Sequence, residues 1–219
     1  MTMMQVPLLP ALYGLDIETD TTDDGLDPRV ASVIAAAVAS AEGSEVFLGP
    51  ELELLRRLDA HLAGLPQGII VTWNGAGFDL PFLADRAALN QISLGLRLTP
   101  DPTIPRRRPP LPGHDGPYRA TWGRHAHLDA YQLYKTLHHD SGVSCGLKNI
   151  ARIEGLEPVE VDREHMHLLA DEAMRAYVAS DAALARSLAE RRWGDSAAAA
   201  FVDGGAVFSG RRRAAERPR

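Results

Sequence analysis

Hydrophobic and polar positions along this 219-residue chain change their period several times. Residues 11–17 (ALYGLDI) form a short, nearly continuous apolar run, the mark of a buried strand. Residues 30–39 (VASVIAAAVA) are apolar and partly β-branched, which suits a second strand, although their alanines also permit a helix. SEVFLG at 44–49 reads as a third. Asp23-Asp24-Gly25 and Glu42-Gly43-Ser44 supply the turns, so the three strands are expected to form an antiparallel meander. Next, Leu52, Leu55, Leu58 and Leu62 recur at helical spacing, with Pro50 at the start and Gly64 near the end.

GIIVTWN at 68–74 is another buried strand. A helix is expected from Leu80 to about Leu89, with Pro81 tolerated in its first turn. Residues 100–117 (PDPTIPRRRPPLPGHDGP) read as an extended, proline-rich surface loop. RATWGRHAHLDAY, 119–131, returns to strand character. Helices are then expected at 129–137, 144–153 and 170–192. This order implies an α/β fold with a mixed central sheet, the meander plus further strands, flanked by helices. One domain is expected over 1–193, its core at 11–192. A Gly/Arg-rich tail follows at 194–219, in which Phe201, Val202, Val207 and Phe208 suit a short docked hairpin.

Composition narrows the class. With 45% hydrophobic and 24% charged residues, the chain has the make-up of an ordinary soluble domain. No apolar stretch approaches the ~20 residues of a membrane span, and the N-terminus lacks the pattern of a signal peptide. The one cysteine, Cys145, excludes an intrachain disulfide. It fits a reducing cytoplasm and disfavours a cysteine-built zinc site. The net charge of -6 disfavours broad electrostatic binding to nucleic acid, unless bound cations reverse the local sign.

Three acidic constellations stand out. Asp16 and Glu18 lie two apart at the end of the first strand and so share one face. Alone, such a pair usually marks a strand reaching solvent. Asn74 to Asp79 (NGAGFD) spans a strand-to-helix junction. Capping of the helix explains Asp79, but it does not explain Asn74 or the two glycines that let backbone approach another group. Tyr177 and Asp181, four apart on a helix, address one point, although an amphipathic helix with an exposed acid has the same spacing.

Taken in order, D-x-E, N-x-x-x-x-D and Y-x-x-x-D resemble the DEDD superfamily of 3′–5′ exonucleases, in its tyrosine-containing branch. NGAGFDLPFL looks most like the proofreading exonuclease domains of family-B DNA polymerases and their stand-alone relatives. HLDAYQLYK and SCGLKNIARIEGLE are similar to the stretch between the second and third motifs of that group. The resemblance spans residues 11–190 and implies a ribonuclease-H-like fold. It implies that Asp16, Glu18, Asp79 and Asp181 hold two Mg²⁺ or Mn²⁺ ions. Asp16 would bridge both, and Glu18 and Asp181 would serve the nucleophile side. Asp79 would act on the other ion. Two such ions stabilise attacking and leaving oxygens at phosphorus.

Tyr177, whose ordinary pKa is about 10, suits orienting a water better than removing its proton. Thr19 and Asn74 match positions that hold the terminal nucleotide. Phe78 and Phe82 suit base stacking, and core packing explains Phe82 equally. The expected partners are 3′ ends of single-stranded DNA or RNA, with DNA favoured. Proofreading, repair and RNA trimming all use this chemistry. An inactive exonuclease-fold binding module is the alternative, against which stands the presence of all four acids and the tyrosine.

Outside the motifs, Arg106, Arg107, Arg108 and Lys148 are candidates for phosphate contacts, and Arg211, Arg212 and Arg213 are others. His125, His127, His138 and His139 invite a zinc reading, but no cysteine supports it and the adjacent pair diverges on a helix. Asp129 is expected to cap the helix that follows it.

Overall fold

Alternation along β1 (Ala11–Thr19) sorts its side chains onto two faces of a seven-stranded sheet. The computed structural model describes residues 10–104, 110–138 and 140–193. Tyr13, Leu15 and Ile17 enter one core with α1 (Glu51–Gly64) and α2 (Asp79–Leu89). The even-numbered positions, among them Gly14, Asp16 and Glu18, face the opposite layer. There α5 (Asp171–Arg191) crosses β1.

The meander is as expected. β2 (Val33–Ala39) pairs antiparallel with β1 and with β3 (Ser44–Leu48). β4 (Gly68–Thr72) joins β1 in parallel, and β7 (His125–Asp129) joins β4 in parallel. β6 (Tyr118–Trp122) and β5 (Leu96–Pro100) continue antiparallel, giving the order β3-β2-β1-β4-β7-β6-β5. α3 (Ala130–Leu137) and α4 (Leu147–Ile153) follow β7. A short 3₁₀ segment, Arg163–Leu168, kinked at His165, precedes α5.

Several boundaries differ from the sequence reading. The second strand begins at Val33 because Asp27 first folds a turn, accepting from the Arg29 N–H at 2.9 Å. The buried stripe of α1 is Leu54, Leu55, Leu58 and Leu62, whereas Leu52, in the first turn, is exposed. The segment 119–131 is a hairpin turning at Gly123, whose φ of +57° suits glycine. β5, which the sequence reading does not include, is a sheet edge with one partner, and only Leu96 and Leu98 of its five residues reach the core. α4 starts at Leu147, behind an extended Gly146. The suggested tail hairpin, at 201–208, lies outside the described residues.

Alanines decide the ambiguous second strand. Ala35, Ala37 and Ala39 sit under α5 with Tyr177, Val178 and Ala182. Small side chains let the helix lie close to the sheet. The tightest approach is at Gly14, where an added Cβ would fall 1.9 Å from the Ala182 carbonyl oxygen. That obstacle is backbone and cannot swing aside. Gly14→Ala is therefore expected to destabilise the fold by about 3 kcal/mol, the upper part of the overpacking range. Urea denaturation measures it; an unchanged midpoint would mean that α5 is not pinned to β1 at this point.

Candidate active site

Asp16 and Glu18 end β1 on the α5 face, opposite Ala37 and Ala35 of β2. The flanking alanines leave the space above the two acids open to α5. Asp181 descends from that helix, one turn after Tyr177, and both are buried. Carboxylate oxygens of Asp16, Glu18 and Asp181 all lie within 4.8 Å of one another. Among the described residues this is the one group of three or more acids, histidines or cysteines close enough to share an ion.

Such a cluster is electrostatically expensive. Two unit charges 4 Å apart repel by about 4 kcal/mol at an effective dielectric of ~20, and a whole domain's net stability is only about 5–15 kcal/mol. The Asp16 Oδ2 atom is shielded from solvent and has no hydrogen-bond partner. Burial pushes the Asp16 carboxyl well above the usual carboxylate range. Glu18, Asp79 and Asp181 push it further, and Lys148 pulls it back. An orphaned buried oxygen amid like charges fits a divalent cation, since hard cations take carboxylate oxygens. The donor set contains oxygen only, as magnesium or manganese prefers.

Asp79 is the first residue of α2 and is buried. It lines the same cleft, about 840 Å³ in volume, beside Asp16, Glu18, Tyr177 and Asp181. It stands outside the three-acid cluster. The helix cap is Phe78, with no side-chain cap bond.

Thr19, Asn74 and Phe78 also line the cleft. The Thr19 hydroxyl donates to the Gly25 carbonyl at 2.7 Å and so orders the loop after β1. Asn74 adopts φ +65°, the left-handed region. Phe82 does not line the cleft. It is fully buried in the core and supports the Phe78 ring from behind, with centroids 5.4 Å apart.

Lys148 departs from its expected place as a peripheral phosphate contact. It is 7% exposed and inside the site. Its Nζ lies 3.3 Å from Asp181 Oδ1 and 3.8 Å from the centroid of the Tyr177 ring. It also donates to the Val159 carbonyl. The sequence held a signal for this, since Leu147 and Lys148 begin a short helix whose apolar residues Ile150 and Ala151 must face inward. Arg106, Arg107, Arg108, His139, Arg211, Arg212 and Arg213 lie outside the described residues.

The cleft extends past residues that the motifs do not include. Trp73, Tyr131 and Lys135 form one wall, with Lys135 Nζ 5.5 Å from the centroid of the Tyr131 ring. Met166 and Thr21 close another, where Thr21 Oγ1 and His167 Nδ1 are 3.0 Å apart. Leu26, half-exposed, stands at the mouth. Contiguity in sequence does not mark these positions; the topology assembles them.

The histidines have structural work. His125 accepts from the Gly68 N–H at Nδ1 and donates from Nε2 to the Leu62 carbonyl. His127 pairs with the Thr72 hydroxyl at 2.8 Å, and burial lowers its pKa to about 3. Asp129 caps α3, as expected, by accepting from the Tyr131 N–H.

Comparison with known proteins agrees with this geometry. Residues 31–150 match the family described as DNA polymerase family B, exonuclease domain. The chain is 34% identical over 140 residues to a DNA polymerase epsilon catalytic subunit of Arabidopsis thaliana, covering 60% of this chain. It is 32% identical over 150 residues to the corresponding epsilon catalytic subunit of Schizosaccharomyces pombe, covering 63%. In each case the match spans 6% of the polymerase subunit. The fold superposes on the family B DNA polymerase from the hyperthermophilic archaeon Pyrobaculum calidifontis with a TM-score of 0.64, at 20% identity, over 84% of this chain and 25% of that one. With the mixed sheet and the acidic cleft of a DEDD-type nuclease fold already in place, this chain belongs to the exonuclease domain family of the family B DNA polymerases.

Proposed function

We propose that the chain is a 3′–5′ exonuclease that hydrolyses phosphodiester bonds of single-stranded nucleic acid, DNA in preference to RNA, and releases nucleoside monophosphates. The observation that carries this reading is the convergence of Asp16, Glu18 and Asp181 within 4.8 Å, in a cleft also lined by Asp79 and Tyr177. The preference for DNA rests on the DNA polymerase relatives.

In this reading Asp16, Glu18 and Asp181 hold divalent cations, and Asp79 supports a second position. Bound Mg²⁺ or Mn²⁺ supplies Lewis-acid stabilisation of the attacking and leaving oxygens in an in-line displacement at phosphorus. Tyr177 orients the attacking water through its hydroxyl. A phenol, whose ordinary pKa is about 10, is a poor base at neutral pH. Lys148, 3.3 Å from Asp181, offsets one negative charge in a site crowded with acids. The Thr19 main chain, Asn74 and Phe78 seat the terminal nucleotide, and stacking on Phe78 tolerates any base.

Metal binding is tested without catalysis. Mg²⁺ or Mn²⁺ at 100 times its dissociation constant is expected to stabilise the protein by about 2.7 kcal/mol, read as a rise in melting temperature. Asp16→Asn removes one of the mutually repelling buried charges. It is expected to melt higher than the wild type in chelator and to lose most of the response to metal. A wild-type protein indifferent to both ions would end the metal reading.

The activity is tested with 5′-labelled single-stranded DNA and RNA, Mg²⁺ or Mn²⁺, and an Asp16→Ala control. A ladder shortening from the 3′ end, faster on DNA and absent in the control, is expected. No degradation with either ion, or equal degradation by Asp16→Ala, refutes it. Tyr177→Phe is expected to lower the rate roughly 100-fold, the scale of a lost positioning contact, while the metal-induced rise in melting temperature persists. Full activity of that variant would remove Tyr177 from the mechanism.

A further inference from the structure

Asp129 ends β7, 8% exposed, in register with Thr72 of β4. Three backbone N–H groups from two separate walls of the cleft converge on its carboxylate. Oδ1 accepts from Asn74 at 2.8 Å and from Tyr131 at 3.1 Å, and Oδ2 accepts from Ala76 at 3.1 Å. Burial raises its pKa to about 6, against the downward pull of those three bonds. Both oxygens accept N–H bonds, the arrangement that suits a carboxylate.

A helix cap alone does not require this. Serine, threonine or asparagine satisfies a first-turn N–H without burying a charge. What the second oxygen and the Asn74 bond add is control of the loop before α2. Asn74 is one of two non-glycine residues with positive φ among those described, a conformation that a side chain disfavours. From it the chain is determinate. The Gly77 N–H donates to the Asn74 carbonyl at 3.1 Å, and the Leu80 N–H to the Gly75 carbonyl at 3.0 Å. A Cβ at Gly75 would fall 2.4 Å from Thr72 Oγ1, so the loop rests directly on β4. The next residues are Phe78 and Asp79. On the other wall, Tyr131 and Lys135 of α3 line the cleft.

We propose that Asp129 is a positioning residue of the exonuclease site, whose carboxylate locks the left-handed turn at Asn74 to the start of α3 and so presets Phe78 and Asp79 against the Asp16–Glu18–Asp181 cluster. This rests on the function proposed above. Asp129 touches neither nucleotide nor ion and acts through the backbone of residues 74–76.

The test uses the full chain with Asp129→Asn and Asp129→Ser. The asparagine is isosteric, but its amide nitrogen meets the Ala76 N–H donor to donor. Serine keeps a cap for Tyr131 and does not reach the loop. Both variants are expected to retain Mn²⁺ affinity at the Asp16–Glu18–Asp181 position within about two-fold, because that cluster lies on β1 and α5, whereas binding at the second position, which depends on Asp79, is expected to weaken. Amide exchange at Asn74 and Ala76 is expected to rise at least ten-fold, with the sheet unchanged. The kcat/KM on single-stranded DNA is expected to fall on the order of 100-fold, the scale of small displacements of a reacting assembly. A large part of that loss is expected in KM, since Asn74 and Phe78 seat the nucleotide.

Full activity and wild-type exchange in Asp129→Ser would reduce Asp129 to a cap and overturn the proposal. So would unchanged exchange at residues 74–76 in Asp129→Asn. Fast exchange of the Asn74 and Ala76 amides in the wild-type protein overturns it without any variant. A wild-type chain inactive on every nucleic acid refutes the proposed function and, with it, the catalytic meaning of this residue. The exchange experiment then still reads whether Asp129 fixes the loop, so the two failures are distinguishable.

Discussion

The close approach of α5 to β1 is the contact on which the rest of the site depends. Gly14 has no side chain, and its backbone lies where a Cβ would meet the Ala182 carbonyl. Ala35, Ala37 and Ala39 extend the same low surface across β2. Asp181 precedes Ala182, so the contact that seats the helix also lowers a carboxylate toward Asp16 and Glu18. Without small residues on that face, the acids would be separated by the thickness of ordinary side chains. Packing thus does what no local interaction favours: it forces like charges together.

Lys148 relieves part of that forced proximity. It meets Asp181 and lies over the Tyr177 ring, tying α4 to α5. Asp16 keeps a buried oxygen with no partner. The fold tolerates this because each face of the sheet carries a large apolar core; Leu54, Leu55, Leu58 and Leu62 of α1 are all fully buried, as are Val178, Ala182 and Leu188 of α5. Each buried leucine contributes about 1.5–3 kcal/mol. A local electrostatic strain of several kcal/mol is therefore supportable, and a bound cation would relieve it.

The cleft is built from sheet order as much as from motifs. Parallel pairing of β1 with β4 and of β4 with β7 points three strand ends the same way. Asp16 and Glu18, the Asn74–Phe78 loop, and Asp129 with α3 all emerge there. The connections that follow these strands supply its walls. A second carboxylate system, centred on Asp129, operates by a different principle from the first. Its charge is satisfied by three N–H groups, whereas Asp16 keeps an oxygen that no donor reaches. One buried acid is thus saturated with donors, and the other is left open.

Much of this was legible in the sequence. Periodicity located the meander, the first helix, β4, α2 and α5, because each has a strong apolar pattern. The spacings of Asp16 with Glu18 and of Tyr177 with Asp181 fixed which side chains share a face. The NGAGFD string marked a strand-to-helix junction with unusual backbone. Other features were decided only in three dimensions. Phe82 is core and not a stacking surface, Lys148 sits inside the site, and β5 exists only because β6 offers it an edge. A strand or helix has a face that sequence can assign, since side-chain direction is a local property of the backbone. Which residue from another element meets that face depends on sheet order and helix approach. Those are set by the summed packing of the whole chain, and by a glycine whose importance lies in what it leaves out.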